Sequence, residues 1–384
     1  MAKYHGTLIR GLTYNIGGKI FKKDKREPID KNLFLYLGRK DNFYVEVEGD
    51  PNEDPDPVPE PVVFRRKSDK PIILYPPTLN WSYMFQRPQQ IMRQFAKAGY
   101  QVMYINQKQH NGKPPEEVEP NLTVYHDWKS LLAAKPHVDI FYATWSKSQE
   151  WLGQVKADVI VYDCVDDFPD WEPYEDSMLN KSNIVFATST ILHGKMDKKH
   201  PNVHLVNNAC DPSVISKAKK IPELASLKKP IIGFVGAVGS WVDVAMIEKV
   251  AAKYTTILIG PSFGEKIPKG VINLGQKPYE ELPNYYSSID VGIIPFKSNR
   301  IAIAANPVKM YEYMAAGKPV VTSDLPECRT FEGVVFPSKT PEEFMVNLEL
   351  AIHSQVNKKA KQFASKNTWA DRFKVIDEEI KKFL

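Results

Sequence analysis

The stretch that most constrains this chain runs from Asn306 to Glu327: Asn-Pro-Val-Lys-Met-Tyr-Glu-Tyr-Met-Ala-Ala-Gly-Lys-Pro-Val-Val-Thr-Ser-Asp-Leu-Pro-Glu. Asn306 is a favourable N-cap. Pro307 suits the first helical position, where its missing N–H is not needed, and Gly317 followed by Pro319 closes the helix. The signals enclose about ten residues, a helix about 15 Å long. Residues 290–295, Asp-Val-Gly-Ile-Ile-Pro, read as a buried strand before it, and 319–323, Pro-Val-Val-Thr-Ser, as another after it. A strand–loop–helix–strand unit of this kind belongs to a parallel α/β sheet, and the helix then opens at the carboxyl edge of the strands, where such sheets bind ligands.

Free N–H groups and the helix dipole make that opening an anion site, and Lys309 adds a full positive charge. A diphosphate fits this chemistry. Glu312 lies three residues further on the same helical face; a carboxylate there is unsuited to phosphate but suited to accept hydrogen bonds from hydroxyls such as those of a ribose. Spacing alone equally permits a solvated Lys309–Glu312 ion pair on an ordinary helix.

The segment Asn306–Glu327 resembles the donor-binding segment of retaining GT-B glycosyltransferases of the large family-four group, with a P-x-K-x-x-E-Y-M-A-x-G-K-P-V-V core. The resemblance implies that Glu312 binds the nucleotide ribose, and that Asn306, Pro307, Val308 and Lys309 at the helix start hold the donor diphosphate. Many members carry a second glutamate eight residues before the ribose glutamate to bind sugar hydroxyls, where this chain has Ala304.

At 384 residues the chain exceeds what a single core usually supports, so two or three domains are expected. With 43% hydrophobic and 25% charged residues it reads as globular, and its net charge of +5 singles out no class of partner. Cys164, Cys210 and Cys328 are odd in number and widely spaced, which predicts reduced thiols rather than disulfides or a zinc site. There is no apolar run of membrane-spanning length and no signal-peptide pattern, so a cytoplasmic protein of a bacterium or of a phage-infected host cell is expected.

Residues 1–48 are short-strand material, with Gly17-Gly18 as a hairpin signal and a short helix expected over residues 30–37. This region is similar to the small YqbF-like domain of phage and prophage proteins, through residues 13–17 and 33–43; an accessory module without a ligand is the alternative. Five prolines among acidic residues follow, so residues 49–70 predict an extended linker. A first Rossmann-like, acceptor domain spans 71–216, a lysine-rich connector 217–229, a second, donor domain 230–365, and a C-terminal helix over 366–384 crosses back to the first. The resemblance covers about 310 residues, from Pro71 onward.

In the first domain a βαβ unit is expected, with a strand at 71–75, a helix entered at Gln86-Arg87-Pro88 and stopped by Gly99, and a strand at 101–105. The segment from Trp81 to Gln89 is similar to a cleft-facing loop in relatives of the teichuronic-acid-type transferases, which puts Trp81 and Arg87 on the acceptor side. Arg87 at a helix start opposes the dipole, so a ligand or a carboxylate is expected to hold it, unless it is a plain surface arginine. Asp163, Asp166 and Asp167 follow a strand and so lie at the active edge. They are orienting groups near the acceptor, a metal site, or, for Asp166 and Asp167, helix caps; the resemblance favours no metal. In the second domain, Gly233, Gly236 and Gly239 predict a loop that lets a ligand approach the backbone, without forming a dinucleotide fingerprint. The family's usual arginine and lysine are missing there, so Arg300 is expected to help Lys309. Ser262, Lys277 and Tyr279 lie in segments that follow the family's order, the last two in the loop resembling its base-recognition loop.

The expected architecture is therefore α/β: GT-B, two Rossmann-like domains facing across a cleft, plus a small N-terminal mainly β module. The resemblance implies transfer of a hexose-type sugar from a nucleotide-diphosphate donor, UDP-sugar first, to a glycan, protein or nucleic-acid acceptor, with retention and without a metal or cofactor. Asp163, Asp166 and Lys309 are its catalytic candidates. Two alternatives stand beside it: a phage-encoded transferase acting on DNA bases or structural proteins, and a degenerate glycan-binding or scaffold protein with a phage-structure partner.

Overall fold

The computed structural model describes residues 3–8, 13–16, 19–29, 33, 34, 37, 43–48, 69–133 and 136–384. The chain divides into two compact units, Met1–Val63 and Phe64–Leu384. Of the expected linker, 49–68 lies outside the described residues.

In the first unit, β1 (Lys3–Leu8) pairs antiparallel with both β4 (Arg26–Ile29) and β5 (Phe43–Glu48), while β2 (Thr13–Ile16) pairs with β3 (Lys19–Lys22). Ile16 stands opposite Lys19, the register of a two-residue hairpin; the glycine pair between them lies outside the described residues. Leu8, Phe21, Leu37 and Phe43 make a small core, with Phe21 edge-on to Phe43 at 5.1 Å. Of the helix expected over 30–37, only Leu33, Phe34 and Leu37 are described, and they are helical.

The second unit holds two sheets. The first has the order β13-β12-β11-β10-β6-β7-β9-β8, built from β6 (Ile72–Tyr75), β7 (Gln101–Ile105), β8 (Glu116–Glu119), β9 (Leu122–Tyr125), β10 (His137–Ala143), β11 (Lys156–Cys164), β12 (Ile184–Ala187) and β13 (Val203–Leu205). All its pairs are parallel except β8 with β9. The second is wholly parallel, in the order β16-β15-β14-β17-β18-β19, from β14 (Ile231–Val235), β15 (Thr255–Ile259), β16 (Ile272–Asn273), β17 (Val291–Ile294), β18 (Val320–Ser323) and β19 (Val335–Ser338). Strands covered on both faces carry continuous apolar runs, and β6, β12, β14 and β17 are buried along their whole length.

Helix Trp369–Ile380 packs on the first half although the second half precedes it in the chain. Trp369, Ile376 and Ile380 belong to the first core, and Phe373 meets Phe95 edge-on at 4.9 Å. The apolar stripe at 369, 373, 376 and 380 gives this helix one face to bury, and Tyr100 Oη donates to Asp377 at 2.5 Å at its edge. The two halves are thus tied twice, by the connector and by this return. No helix among the described residues is long and apolar enough to cross a membrane.

Candidate functional site

The carboxyl ends of both sheets face one cleft of about 970 Å³, lined from the first half by Trp81, Arg87 and Asp166 and from the second by Gly236, Lys277, Tyr279 and residues 305–309 and 312, among others. That volume is in the range of small-molecule sites.

Helix Val308–Ala315 brings Lys309 and Glu312 to the cleft. Its start differs from the expectation. Pro307, not Asn306, is the cap residue, and it is extended (φ −70°, ψ 115°). The Asn306 side chain is taken elsewhere: Oδ1 accepts from the Asn208 N–H of the opposite half at 3.0 Å, while Nδ2 donates to Glu327 of its own half at 2.9 Å. The end follows expectation: Gly317 at φ +73° donates to Met314 O and Lys318 to Tyr313 O, the paired bonds of a Schellman cap.

Lys309 Nζ lies over the rings of Phe234 (4.6 Å) and Phe296 (5.0 Å) and has no ion-pair partner among the described residues. Desolvation by burial brings its ammonium down to about 8. Glu312 is 7% exposed and accepts from Tyr286 Oη at 2.6 Å. Burial pushes its carboxyl up to about 6, against the opposing pull of Tyr286 and Lys309. The solvated Lys309–Glu312 pair is therefore not what forms: each charge is desolvated and turned to the cleft.

Gly236, at φ +149°, passes so close to Lys309 that an added Cβ would stand 2.3 Å from Nζ. Gly260 supports it from behind, where a Cβ would come within 2.1 Å of the Gly236 carbonyl oxygen. Both positions need glycine for space and for backbone conformation. Gly239 and Ser262 do not line the cleft as expected. Gly239 lies under the Trp241 ring, 2.5 Å from an added Cβ, and the Ser262 hydroxyl turns away to donate to Glu265 O.

Tyr279 does line the cleft, stacked on Phe85 at 4.9 Å with its hydroxyl accepting from Gln90 Nε2 at 2.7 Å. Lys277 Nζ lies 5.9 Å over the Tyr285 ring.

The first half meets the expectation that a carboxylate holds Arg87 and corrects those for the aspartates and Arg300. Arg87 is 2% exposed and donates to both oxygens of Asp163, Nε to Oδ2 at 2.7 Å and Nη2 to Oδ1 at 2.9 Å. Its Nη1 reaches Val206 O at 2.9 Å. Asp163 is 0% exposed and also accepts from Tyr142 Oη at 2.8 Å, so it is the buried counter-charge of Arg87 and not an orienting group at the acceptor. Arg300 does not reach toward Lys309: it donates to Asp167 at 2.6 and 2.8 Å and to Glu172 at 2.6 Å, spanning the two halves. These hydrogen bonds, with that from Lys195, hold the Asp167 carboxyl below its usual range despite burial. Neither Asp166 nor Asp167 caps a helix, since the next turn, Pro169–Trp171, starts from Phe168 without a side-chain cap. Of the three carboxylates only Asp166 faces the cleft; desolvation first, and the neighbouring Asp167 charge second, push it up to about 7.

The two halves also meet through a residue not singled out by sequence. Glu327, 6% exposed, accepts from Thr190 N (2.8 Å), Thr190 Oγ1 (2.7 Å), Asn207 Nδ2 (2.9 Å) and Asn306 Nδ2 (2.9 Å). Asn208 adds Nδ2 to Asn306 O at 2.6 Å. Also unforeseen were Trp145, Trp171 and Trp241, which line the cleft. Their signal was available, because each follows the carboxyl end of a strand, β10, β11 or β14.

The chain superposes on sucrose-phosphate synthase of Thermosynechococcus elongatus (14% identity, 82% of this chain and 98% of that one, TM-score 0.60). It superposes equally on Anabaena HepE solved with UDP-glucose (14% identity, 81% and 99%, TM-score 0.60). The fold is GT-B. Residues 229–353, which hold the second sheet, match the family described as Glycosyl transferases group 1. In sequence, 168 residues are 32% identical to TuaH of Bacillus subtilis, described as a teichuronic acid biosynthesis glycosyltransferase; the match spans 39% of this chain and 42% of that relative.

Proposed function

We propose that the protein transfers a hexose-type sugar from a UDP-sugar to an acceptor hydroxyl, with retention of configuration and without a metal ion. The observation that carries this reading is Lys309: a desolvated ammonium with no acidic partner among the described residues, set against the Gly236 backbone at the opening of helix Val308–Ala315. A partly buried charge with no ion pair is costly to hold, the more so when only a neighbouring carboxylate without contact offsets it, unless a ligand supplies the partner. A diphosphate does so, and Glu312 one turn on is placed for ribose hydroxyls. The family match of residues 229–353 and the UDP-glucose bound to HepE support the same reading.

In the proposed reaction the acceptor oxygen bonds to the anomeric carbon as the bond from that carbon to the donor phosphate oxygen breaks. The electron pair leaves with the diphosphate, and the acceptor proton passes to the departing phosphate oxygen. Lys309, the Gly236 backbone and the helix dipole stabilise the charge that grows there, the role a divalent cation plays elsewhere. Metal independence is further supported by the carboxylates, since Asp163 is committed to Arg87 and Asp167 to Arg300 and Lys195. Retention rests on the resemblance of Asn306–Glu327 to retaining enzymes.

The test is UDP release by the full chain across a panel of UDP-sugars, with and without EDTA, and proton NMR of the product's anomeric coupling. Turnover unaffected by EDTA with a retained anomer is expected. No UDP release from any donor overturns the activity; loss on chelation restored by Mg²⁺ overturns metal independence.

A further inference from the structure

One wall of the cleft lies apart from the groups assigned to the donor. Beyond the glycine loop the cavity is faced by Trp145, Trp171, Phe168 and Trp241. Successive ring centroids lie 5.9 Å (Trp145–Trp171), 4.9 Å (Phe168–Trp171) and 5.8 Å (Phe168–Trp241) apart. The four rings thus form one strip running from the first half onto the second, where it meets the end of the donor-side glycine loop. Each ring is only partly buried; Trp241 also rests on the core of the second half, and the other three are not among the residues packed on either core. Asp166 lines the same wall, and its carboxylate has no hydrogen-bond or ionic partner among the described residues. The other charges near it are neutralised in pairs, Asp167 and Glu172 by Arg300, and Asp167 also by Lys195.

Flat apolar rings beside a single carboxylate suit a ligand that offers an apolar face on one side and hydroxyls on the other. A pyranose has both: axial C–H groups on one face and equatorial hydroxyls at its edge. We propose that this strip is the acceptor platform and that the acceptor presents an uncharged sugar residue, stacked on the Trp171–Phe168 rings with a hydroxyl hydrogen-bonded to Asp166. The proposal rests on the glycosyl-transfer reading above. Nucleobases also stack on aromatic rings, but single strands are held by a cationic groove along their phosphates. Of the cations that line the cleft, Arg87 is paired with Asp163 and Arg93 with Glu119, while Lys277 and Lys309 belong to the donor side, so the charge left unpaired on this wall is that of Asp166; Lys147, over the Trp145 and Tyr174 rings, is not part of the lining.

Saturation-transfer NMR and calorimetry on the full chain, with UDP present, test this using methyl glucoside, methyl galactoside, methyl N-acetylglucosaminide and a thymidine octanucleotide. The expected result is saturable binding of at least one glycoside, with transfer onto its ring C–H protons. Trp171→Ala should weaken that binding at least tenfold and Asp166→Asn at least fivefold, with UDP affinity held within twofold. Trp171→Phe, which keeps a ring, should retain most of the affinity, and it replaces the alanine variant if that one fails to fold. The proposal is overturned if no glycoside binds while UDP does, if the octanucleotide binds more tightly than every glycoside, or if glycoside affinity is unchanged in both variants. Glycoside binding that responds to Trp171 without any UDP binding would leave the platform standing and bring down the transfer reading instead.

Discussion

The two halves of the cleft handle charge in opposite ways. In the first half the strong charges other than Asp166 are matched within the protein: Arg87 with Asp163 in full burial, Asp167 with Lys195 and, from across the cleft, with Arg300. In the second half Lys309 and Glu312 are desolvated at the cleft with no ion pair between them. A matched buried pair fixes structure, because removing either partner strands the other in a low-dielectric interior. An unmatched buried charge is a cost to the fold that only a ligand offsets. The same residue types therefore mark architecture on one side and chemistry on the other, and what separates them is whether the counter-charge is built in.

That contrast is open to direct attack. Arg87→Ala should cost about 3–5 kcal/mol of stability, the usual result of orphaning a buried carboxylate, measured by urea unfolding. A variant as stable as the parent would mean the pair is not structural. Lys309→Met should do the reverse. Because folding lowers the Lys309 pKa, its charge opposes folding at neutral pH, so stability is held or raised, while donor turnover falls by about 10²–10³-fold. Loss of stability with turnover intact would reverse the assignment. Glu312→Ala is expected to weaken UDP binding by about 1.5–3 kcal/mol in calorimetry, the range for hydrogen bonds to a charged group; undiminished affinity removes Glu312 from the ribose.

Smaller effects follow from pH. Glu312 accepts hydrogen bonds at both oxygens, and most strongly, as a carboxylate, which is lost as pH falls through about 6, and Lys309 attracts phosphate only as an ammonium, which is lost as pH rises through about 8. UDP affinity should peak between those values. The acceptor-dependent rate should fall already below about 7, where Asp166 takes up a proton. The acid limbs of UDP binding and of transfer, followed side by side, separate the two halves; coincident limbs would show that Asp166 does not act on the acceptor. The smallest effect is expected from removing residues 1–63, a separate compact unit. Donor turnover should stay within about twofold, since every group assigned to the donor lies beyond Ile231, and its loss would make that unit part of the catalytic fold.

Much of the fold was legible because it rests on local patterns. β6, β7, β10, β11 and β12 and all of the second sheet's inner strands were readable as apolar runs, and Gly99 and Gly317 stop their helices with positive φ. The β8–β9 hairpin was not, since Glu-Glu-Val-Glu at the sheet edge carries no apolar pattern to read. Lys309 and Glu312 were found because one helix turn places both on a single face.

The partners were a different matter. Asn306 had the residue type of an N-cap, but a capping bond is worth about 1 kcal/mol, and two hydrogen bonds, one with Asn208 of the other half and one with Glu327 of its own, won the side chain. Asp163 and Asp166 sit three positions apart on the same strand end and look alike in sequence, yet one meets Arg87, 76 residues earlier in the chain, and the other meets open cleft. Sequence by itself determined which segments become strands and helices and where the sheet's ligand edge must lie, because hydrophobic period and backbone stops act over a few residues. Only the tertiary structure decided which charges are spent on one another and which are left for a ligand, because a counter-charge is chosen by distance in space, and distance in space is not written in the spacing of the chain.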